Sequence, residues 1–394
     1  MAPEDSGCGL YVHTPFCETK CGYCDFYSVA LKDRDTAPLV GAIIRELEHR
    51  IADSPQEIRT IFCGGGTPTL LPIDQLARLL TAIRNVVPVD RVDEFTVEAN
   101  PATVDDAKAE LLAASGVTRV SMGAQSFFTD ELETLERLHS PDDIAPSIAT
   151  LRRHGFKRIN LDLIFGIPGQ SLDTWSQSLQ KAIDLGVDHI ACYGLTYEPK
   201  TRLTAQREAG RVTPCDENLE ADMFMITIDT LSAAGFRQYE ISNFAKPGEE
   251  CLHNLIYWRN RPYIGVGPSA AGCVDGRRYK NVADVNGYVR MIEQDSHAER
   301  ESEAIGGETL MHELIMMQLR LNEGLSVCEF QARTGSDPIA LFGDKLSRMC
   351  DQKFVRVSKA RIALTRTGQL IADAVIAELV ATCNSDTPTL RILR

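Results

Sequence analysis

Tyr11-Val-His-Thr-Pro-Phe-Cys17-Glu-Thr-Lys-Cys21-Gly-Tyr-Cys24-Asp-Phe26 sets three thiols at CxxxCxxC spacing directly behind a short apolar strand. A loop turned tightly at Gly22 can aim all three thiolates at one point, because glycine accepts backbone conformations that other residues resist. That spacing calls for iron and sulfur. Structural zinc takes four ligands, usually from two separated pairs, and the chain holds no second CxxC. A disulfide framework pairs even numbers of cysteines in an oxidising compartment. We read Cys17, Cys21 and Cys24 as ligands to three irons of a 4Fe–4S cluster whose fourth iron stays open. Cys63 belongs to a strand ahead of a glycine turn and lies outside this loop. The competing reading is a structural cysteine cluster, against which the motifs further along the chain count.

Composition predicts a globular chain with a sizeable core: 394 residues, 44% apolar and 24% charged, fit two or three domains. Neither a basic start nor an apolar stretch follows Met1, and no run of about 18 apolar residues predicts a membrane span. Peripheral membrane association stays open. Twelve cysteines, most of them in apolar surroundings, predict reduced thiols and a cytoplasmic location. A net charge of −14 argues against nucleic-acid binding, which needs surplus Lys and Arg to displace counterions. Small molecules or proteins are the expected partners.

Short β-rich runs alternate six times with helix-period segments, the pattern of parallel strands joined by crossover helices. Strands are predicted near 10–13, 58–63, 94–99, 119–123, 158–164 and 189–195. Helices are predicted at 36–52, with Leu39, Ile43, Leu47 and Ile51 on one stripe, and at 74–86, with Leu76, Leu79, Leu80 and Ile83 on another. Segments 172–185 and 217–234 complete this unit. Six βα units fall short of a closed eightfold barrel, so the expected fold is α/β, a partial (β/α)6 barrel with its site at the C-terminal ends of the strands. The following stretch, rich in Gly, Pro and Asn, predicts an irregular connection. From about residue 300, helical patterns at 308–321, 326–334 and 338–351, a hairpin from Phe354 to Leu364 and a last helix from Thr367 predict a small winged-helix-type α+β domain. The expected division is therefore 1–240, 241–299 and 300–394.

The predicted strand ends gather glycines and polar residues. Cys63-Gly64-Gly65-Gly66-Thr67 either exposes backbone groups to a ligand or is a bare turn. Glu98 and Asp162 each stand in an apolar strand, where an unpaired carboxylate is costly. Gln125 closes the run that begins at Ser121, and Arg137 lies in a helical run beyond it. Taken singly, the two acids also read as structural partners of Arg119, Arg137 or Arg158. Taken together, they converge with the cysteine loop at one end of consecutive strands. There carboxylates can accept ribose hydroxyls and Arg137 can hold a carboxylate.

On YVHTPFCETKCGYCDF, GGGTPT, VEANP, SMGAQSF and NLDLIFGIPGQ, the chain resembles the oxygen-independent coproporphyrinogen III oxidase group of radical S-adenosylmethionine (SAM) proteins, over nearly its whole length. The resemblance implies a 4Fe–4S cluster on Cys17, Cys21 and Cys24, and SAM contacts from Tyr11, Gly65, Gly66, Thr67, Glu98, Gln125, Arg137 and Asp162. The true oxidases of this group carry a further cysteine two residues beyond the third; here that place is Phe26. The other branch, the heme chaperones, reads CxxxCxxCDF and carries HNxxYW, here His253-Asn254-Leu255-Ile256-Tyr257-Trp258. Both features imply the heme-chaperone branch, with heme bound and passed to apo-haemoproteins. One departure is Ala271, where relatives of this branch often show His.

The second motif has a chemistry of its own. His253 offers an imidazole to heme iron, Tyr257 and Trp258 offer flat faces, and Arg259, Arg261, Arg277 and Arg278 offer cations to two propionates. Cys251 is a competing thiolate. A hydrogen-bonded core histidine with a solvated arginine rim is the plainer reading of the same residues. The alternative function is a radical enzyme acting on a porphyrinogen or another anionic substrate.

Overall fold

The computed structural model describes residues 7–53, 56–295 and 297–383. Six parallel strands, β1 (Cys8–Thr14), β2 (Ile58–Gly65), β3 (Glu94–Ala99), β4 (Arg119–Gln125), β5 (Arg158–Phe165) and β6 (His189–Gly194), lie side by side in that order. Each predicted strand is present, its ends within two residues of those expected. Successive side chains of a strand point to opposite faces, so parity sorts these strands into two surfaces. One parity is apolar and buried: Leu10, Val12, Ile61, Phe95, Val97, Val120, Ile159, Leu161 and Ile190 belong to it. The other carries Tyr11, His13, Thr60, Glu94, Glu98, Ser121, Asn160, Asp162 and His189. A sheet covered by helices on both faces would be apolar in both parities. Here the polar parity lines the inside of the partial barrel, where it can serve chemistry.

The crossover helices follow the predicted stripes: Ala37–Asp53, Ile73–Val86, Leu172–Asp184 and Glu217–Ala233. Leu172–Asp184 shows why one such helix starts and seats where it does. Its N-cap Ser171 accepts a hydrogen bond from the Thr174 N–H, and its buried face carries Trp175, Leu179 and Ala182. The indole of Trp175 donates to Thr227 Oγ1 at 2.9 Å, pinning this helix to Glu217–Ala233. Truncating so buried an aromatic costs about 3–5 kcal/mol.

The stretch expected to be irregular instead extends the sheet. β7 (Tyr263–Val266) pairs in parallel with β1 from Gly9↔Tyr263 to Val12↔Val266, and Ala271–Val274, Arg277–Asn281 and Glu299–Ala304 continue that edge. At the other edge Asn243–Ala245 runs antiparallel to β6. These strands are short, and Gly265 and Gly272 interrupt two of them, which hides their alternation. Gly265 is needed there, since a Cβ would stand 1.9 Å from the Ala271 carbonyl oxygen.

The chain forms two compact units. The first runs to Gln238 and takes in Ser242–Ile256 and Arg261–Glu303; the second comprises Tyr239–Ile241, Tyr257–Asn260 and the chain from Ala304. The segment 241–299 thus belongs mostly to the first unit, as edge strands and the helices Leu252–Trp258 and Val285–Asp295, rather than being a connection. In the second unit, helices Gly307–Gln318, Val327–Thr334, Pro338–Asp351 and Ala372–Val380 enclose a core that includes Leu314, Phe330, Phe342, Ile362 and Leu379. A three-stranded sheet in the order Leu325–Ser326, Arg361–Leu364, Val355–Val357 completes the winged-helix-type arrangement. Among the described residues no helix is long and apolar enough to cross a membrane.

Candidate functional site

Cys17 ends a two-residue strand, Phe16–Cys17, that pairs with Val29–Ala30, so the chain leaves the barrel after β1 and loops back on itself. Cys21 and Cys24 lie in that loop, and all three thiols are half-buried. Burial, and the charge that Cys21 and Cys17 would carry as thiolates, push Cys24 up to about 11; burial and then the charge of Cys21 raise Cys17. The three sulfurs are therefore within electrostatic reach of one another. Among the described residues no three His, Cys, Asp or Glu gather tightly enough for one metal ion. A cubane binds each thiolate to a different iron, so its ligands stand farther apart than those of a single ion. Three soft donors with no fourth fit that group.

Arg137 is the cation of this site. Its Nη2 donates to Asn100 Oδ1 at 2.6 Å and to the Gly123 carbonyl at 2.7 Å, and its Nη1 stands 3.5 Å from Cys21 Sγ. Its Nε is buried without a hydrogen-bond partner, a donor available to an anionic ligand. Asn100 in turn donates to Thr67 Oγ1 at 2.8 Å, which ties the turn after β2 to the end of β3 and to the cysteine loop. The register of β4 against β5 shifts between Gly123 and Gln125, and Gln125 has a φ of +65°. Backbone strain of this kind at a bulge re-aims residues beside a site.

Glu98 on β3 and Asp162 on β5 flank β4 on the polar parity. Burial first, and then the charge of Asp162, pushes Glu98 up to about 8. Burial pushes Asp162 up to about 6, against a 2.8 Å bond from Asn160 Nδ2 and the charge of Arg137. Asn160 is itself oriented by His189, whose Nδ1–H donates to Asn160 Oδ1 at 2.6 Å. Arg119 and Arg158, proposed as structural partners of these acids, pair instead with Glu94 at 2.9 Å and Glu249 at 2.8 Å. Tyr11 donates its hydroxyl to His13 Nδ1 at 2.9 Å, and His13 Nε2–H donates to the Tyr27 carbonyl at 2.9 Å, which fixes the tautomer.

The glycine turn does not offer its amides to a ligand, contrary to one reading of its sequence. Gly65 N–H donates to Glu98 Oε2 at 3.0 Å, Gly66 N–H to the Thr14 carbonyl at 2.9 Å and Thr67 N–H to the Phe16 carbonyl at 2.7 Å. A Cβ at Gly64 would stand 2.6 Å from Glu98 Cδ, and one at Gly66 2.6 Å from the Phe16 carbonyl oxygen. The missing side chains make room for the protein's own groups, and the turn thereby seats Glu98.

His253 lies elsewhere. Glu94, the first residue of β3, accepts the N–H groups of Leu252 at 3.1 Å and His253 at 3.0 Å and the thiol of Cys251 at 3.3 Å. The start of the helix Leu252–Trp258 is thereby docked at the N-terminal ends of the strands, opposite the cysteine loop. The ring of His253 is fully buried, hydrogen-bonded to Thr60 Oγ1 at 2.7 Å and stacked on Phe62 at 5.3 Å between centroids. Burial pushes it down to about 3, and burial likewise pushes the buried Cys251 thiol up. The expectation of an iron-ligating His253 is corrected accordingly, since in this fold the ring presents no open face to a macrocycle. Arg277 and Arg278 are engaged by Glu299 and Glu303. In the second unit Tyr257 and Trp258 are half-buried, Arg320 stands 6.0 Å over the Trp258 ring, and Arg259 pairs with Glu323 at 3.1 Å.

Sequence reading missed Asn100, Asn160, His189 and His13. For Asn160, His189 and His13 the available signal was their polarity at inward parity of otherwise apolar strands; Asn100 lies just beyond the end of β3.

The chain matches the family model of the radical SAM superfamily over residues 11–182 and that of the HemN C-terminal domain over residues 307–371. It is 36% identical over 367 residues to the heme chaperone HemW of Bacillus subtilis (strain 168), covering 93% of this chain and 97% of that one. To the heme chaperone HemW of Escherichia coli (strain K12) it is 38% identical over 331 residues, 83% of this chain and 86% of that one. To a mouse protein named radical S-adenosyl methionine domain-containing protein 1, mitochondrial, it is 33% identical over 337 residues, 82% and 76% of the two chains. Among solved structures, coproporphyrinogen III oxidase (HemN) from Escherichia coli, described as a radical SAM enzyme, shares the fold. Its TM-score is 0.80 at 21% identity, covering 97% of this chain and 91% of that one.

Proposed function

The chain belongs to the heme chaperone HemW family of radical SAM proteins, and from that premise we propose that it binds heme and passes it to apo-haemoproteins. The observation that carries this reading is Phe26. It occupies the place of the additional cysteine of the oxidases and is 72% exposed beside the cysteine loop, so the loop lacks the thiol that marks a decarboxylase.

Cys17, Cys21 and Cys24 hold the 4Fe–4S cluster in this account. When bound, it supplies one-electron chemistry and an open iron for the amino and carboxylate groups of SAM. Arg137, with one buried N–H still to be satisfied, holds the SAM carboxylate. Glu98 and Asp162 accept the ribose hydroxyls, and Tyr11, Gly65, Gly66, Thr67 and Gln125 complete the wall. Tyr257 and Trp258 would offer their rings to heme, and His253 serves as a packed core residue rather than an iron ligand.

The test pairs two assays on anaerobically reconstituted protein. With coproporphyrinogen III, reductant and SAM, no vinyl product is expected. With hemin, stoichiometric binding is expected, weakened by Trp258→Ala. Vinyl product at multiple turnovers would favour the radical enzyme instead.

A further inference from the structure

The cysteine loop is gripped at its centre by two segments remote in sequence. Gly22 N–H donates to the Leu135 carbonyl at 3.4 Å, and the Leu203 N–H donates to the Gly22 carbonyl at 2.9 Å. Tyr23 packs against the apolar cluster of Leu135, Ile164, Ile167, Leu195 and Leu203. The residues next to Leu135 and Leu203 are Glu136 and Arg202. Arg202 Nε donates to Glu136 Oε2 at 2.8 Å, and Arg202 Nη2 donates both to Glu136 and to the Lys20 carbonyl. Three parts of the chain thus meet around the turn between Cys17 and Cys24.

Glu136 is an unusual choice at its position. It follows the helix Thr129–Thr134 at a φ of +56°, with Glu136 N–H on the Glu133 carbonyl at 2.9 Å and Arg137 N–H on the Leu132 carbonyl at 2.9 Å. This is a Schellman ending, whose left-handed residue is ordinarily glycine. A glutamate carries backbone strain there, which contacts of its side chain have to offset. It is used on the loop: the carboxylate comes down on Gly22, where a Cβ would stand 2.9 Å from Glu136 Cδ and push that carboxylate aside.

We propose that Glu136 and Arg202 are positioning residues that clamp the Lys20–Gly22 turn, holding the cysteine loop in its cluster-binding shape. The clamp rests on the reading of Cys17, Cys21 and Cys24 as cluster ligands. An exposed ion pair adds little to overall stability, so its effect is local to the loop.

Glu136→Gly separates the two roles of this residue. It keeps the helix ending and relieves the strain, yet removes the carboxylate. In the full-length protein, Glu136→Gly is expected to melt no lower than wild type. Loss of the absorbance near 400 nm in the presence of an iron chelator is expected to speed up roughly two- to fivefold, the range an exposed pair supports. Arg202→Ala is expected to do the same, and the double variant no more than either, since both residues serve one clamp. Amide hydrogen exchange at Gly22 in iron-free protein, expected to be faster in both variants, reads the clamp without any cluster. Unchanged exchange and unchanged cluster loss would overturn the clamp, as would additive effects in the double variant. A wild type that holds no cluster would overturn the cluster reading alone, because the exchange measurement still decides the clamp.

Discussion

The guanidinium of Arg137 stands 3.5 Å from Cys21 Sγ while its other edge is fixed by Asn100 and the Gly123 carbonyl. One cation therefore adjoins Cys21, a proposed cluster ligand, and keeps a buried N–H without a partner. Arg137→Ala is expected to weaken SAM binding by about 1.5–3 kcal/mol, roughly ten- to a hundredfold, without loss of iron. Arg137→Lys lacks the planar fork and should recover only part of this. Calorimetry on reconstituted variants reads the effect, and unchanged affinity would remove Arg137 from the SAM site.

Glu98 sets a pH dependence whose sign is fixed. Its folded value of about 8 lies above the ordinary 4.5, so between these values the folded chain holds a proton that the unfolded chain has released. Stability contributed by this group is present at low pH and falls as pH rises, by up to about 1.4 kcal/mol per unit. Glu98→Gln removes the dependence. Without SAM, the variant should melt above wild type at pH 8 and approach it near pH 5. A gap that widens toward low pH would contradict the assignment.

Cys17→Ser, Cys21→Ser and Cys24→Ser should each lose the oxygen-sensitive cluster, whereas Cys63→Ser should keep it. Cys63 is buried on the apolar parity of β2, facing away from the loop. Iron counting decides this. Full iron content in Cys21→Ser would end the assignment.

Much of the barrel was legible because its strands alternate strongly. Glu98 and Asp162 were visible as polar residues in apolar runs, and β-strand parity puts such residues on one face; Tyr11 was named through the family resemblance alone. What was hidden depended on distance along the chain. Nothing near Gly22 announces Glu136 or Arg202, and nothing near Glu94 announces that it caps Leu252 and His253. β7 was lost because Gly265 breaks an already short run. The glycine turn was read for ligand approach, whereas its amides are taken by Thr14, Phe16 and Glu98.

His253 is expected to matter through packing. His253→Ala removes a fully buried ring from Thr60 and Phe62 and should cost about 2–5 kcal/mol, seen as a lower melting temperature. His253→Asn, which can keep a bond to Thr60, should fold and show the wild-type heme spectrum. A changed Soret band in folded His253→Asn would mean that the helix Leu252–Trp258 leaves its seat to ligate iron.

Heme transfer is the claim on which the account stands. Protein loaded stoichiometrically with hemin should be mixed with an apo-haemoprotein, the two separated, and the Soret absorbance of each followed. The account predicts that heme leaves this chain and appears on the acceptor, with no vinyl product from coproporphyrinogen III in a parallel anaerobic reaction. Failure of the chain to retain heme, or repeated decarboxylation of the porphyrinogen, would contradict it.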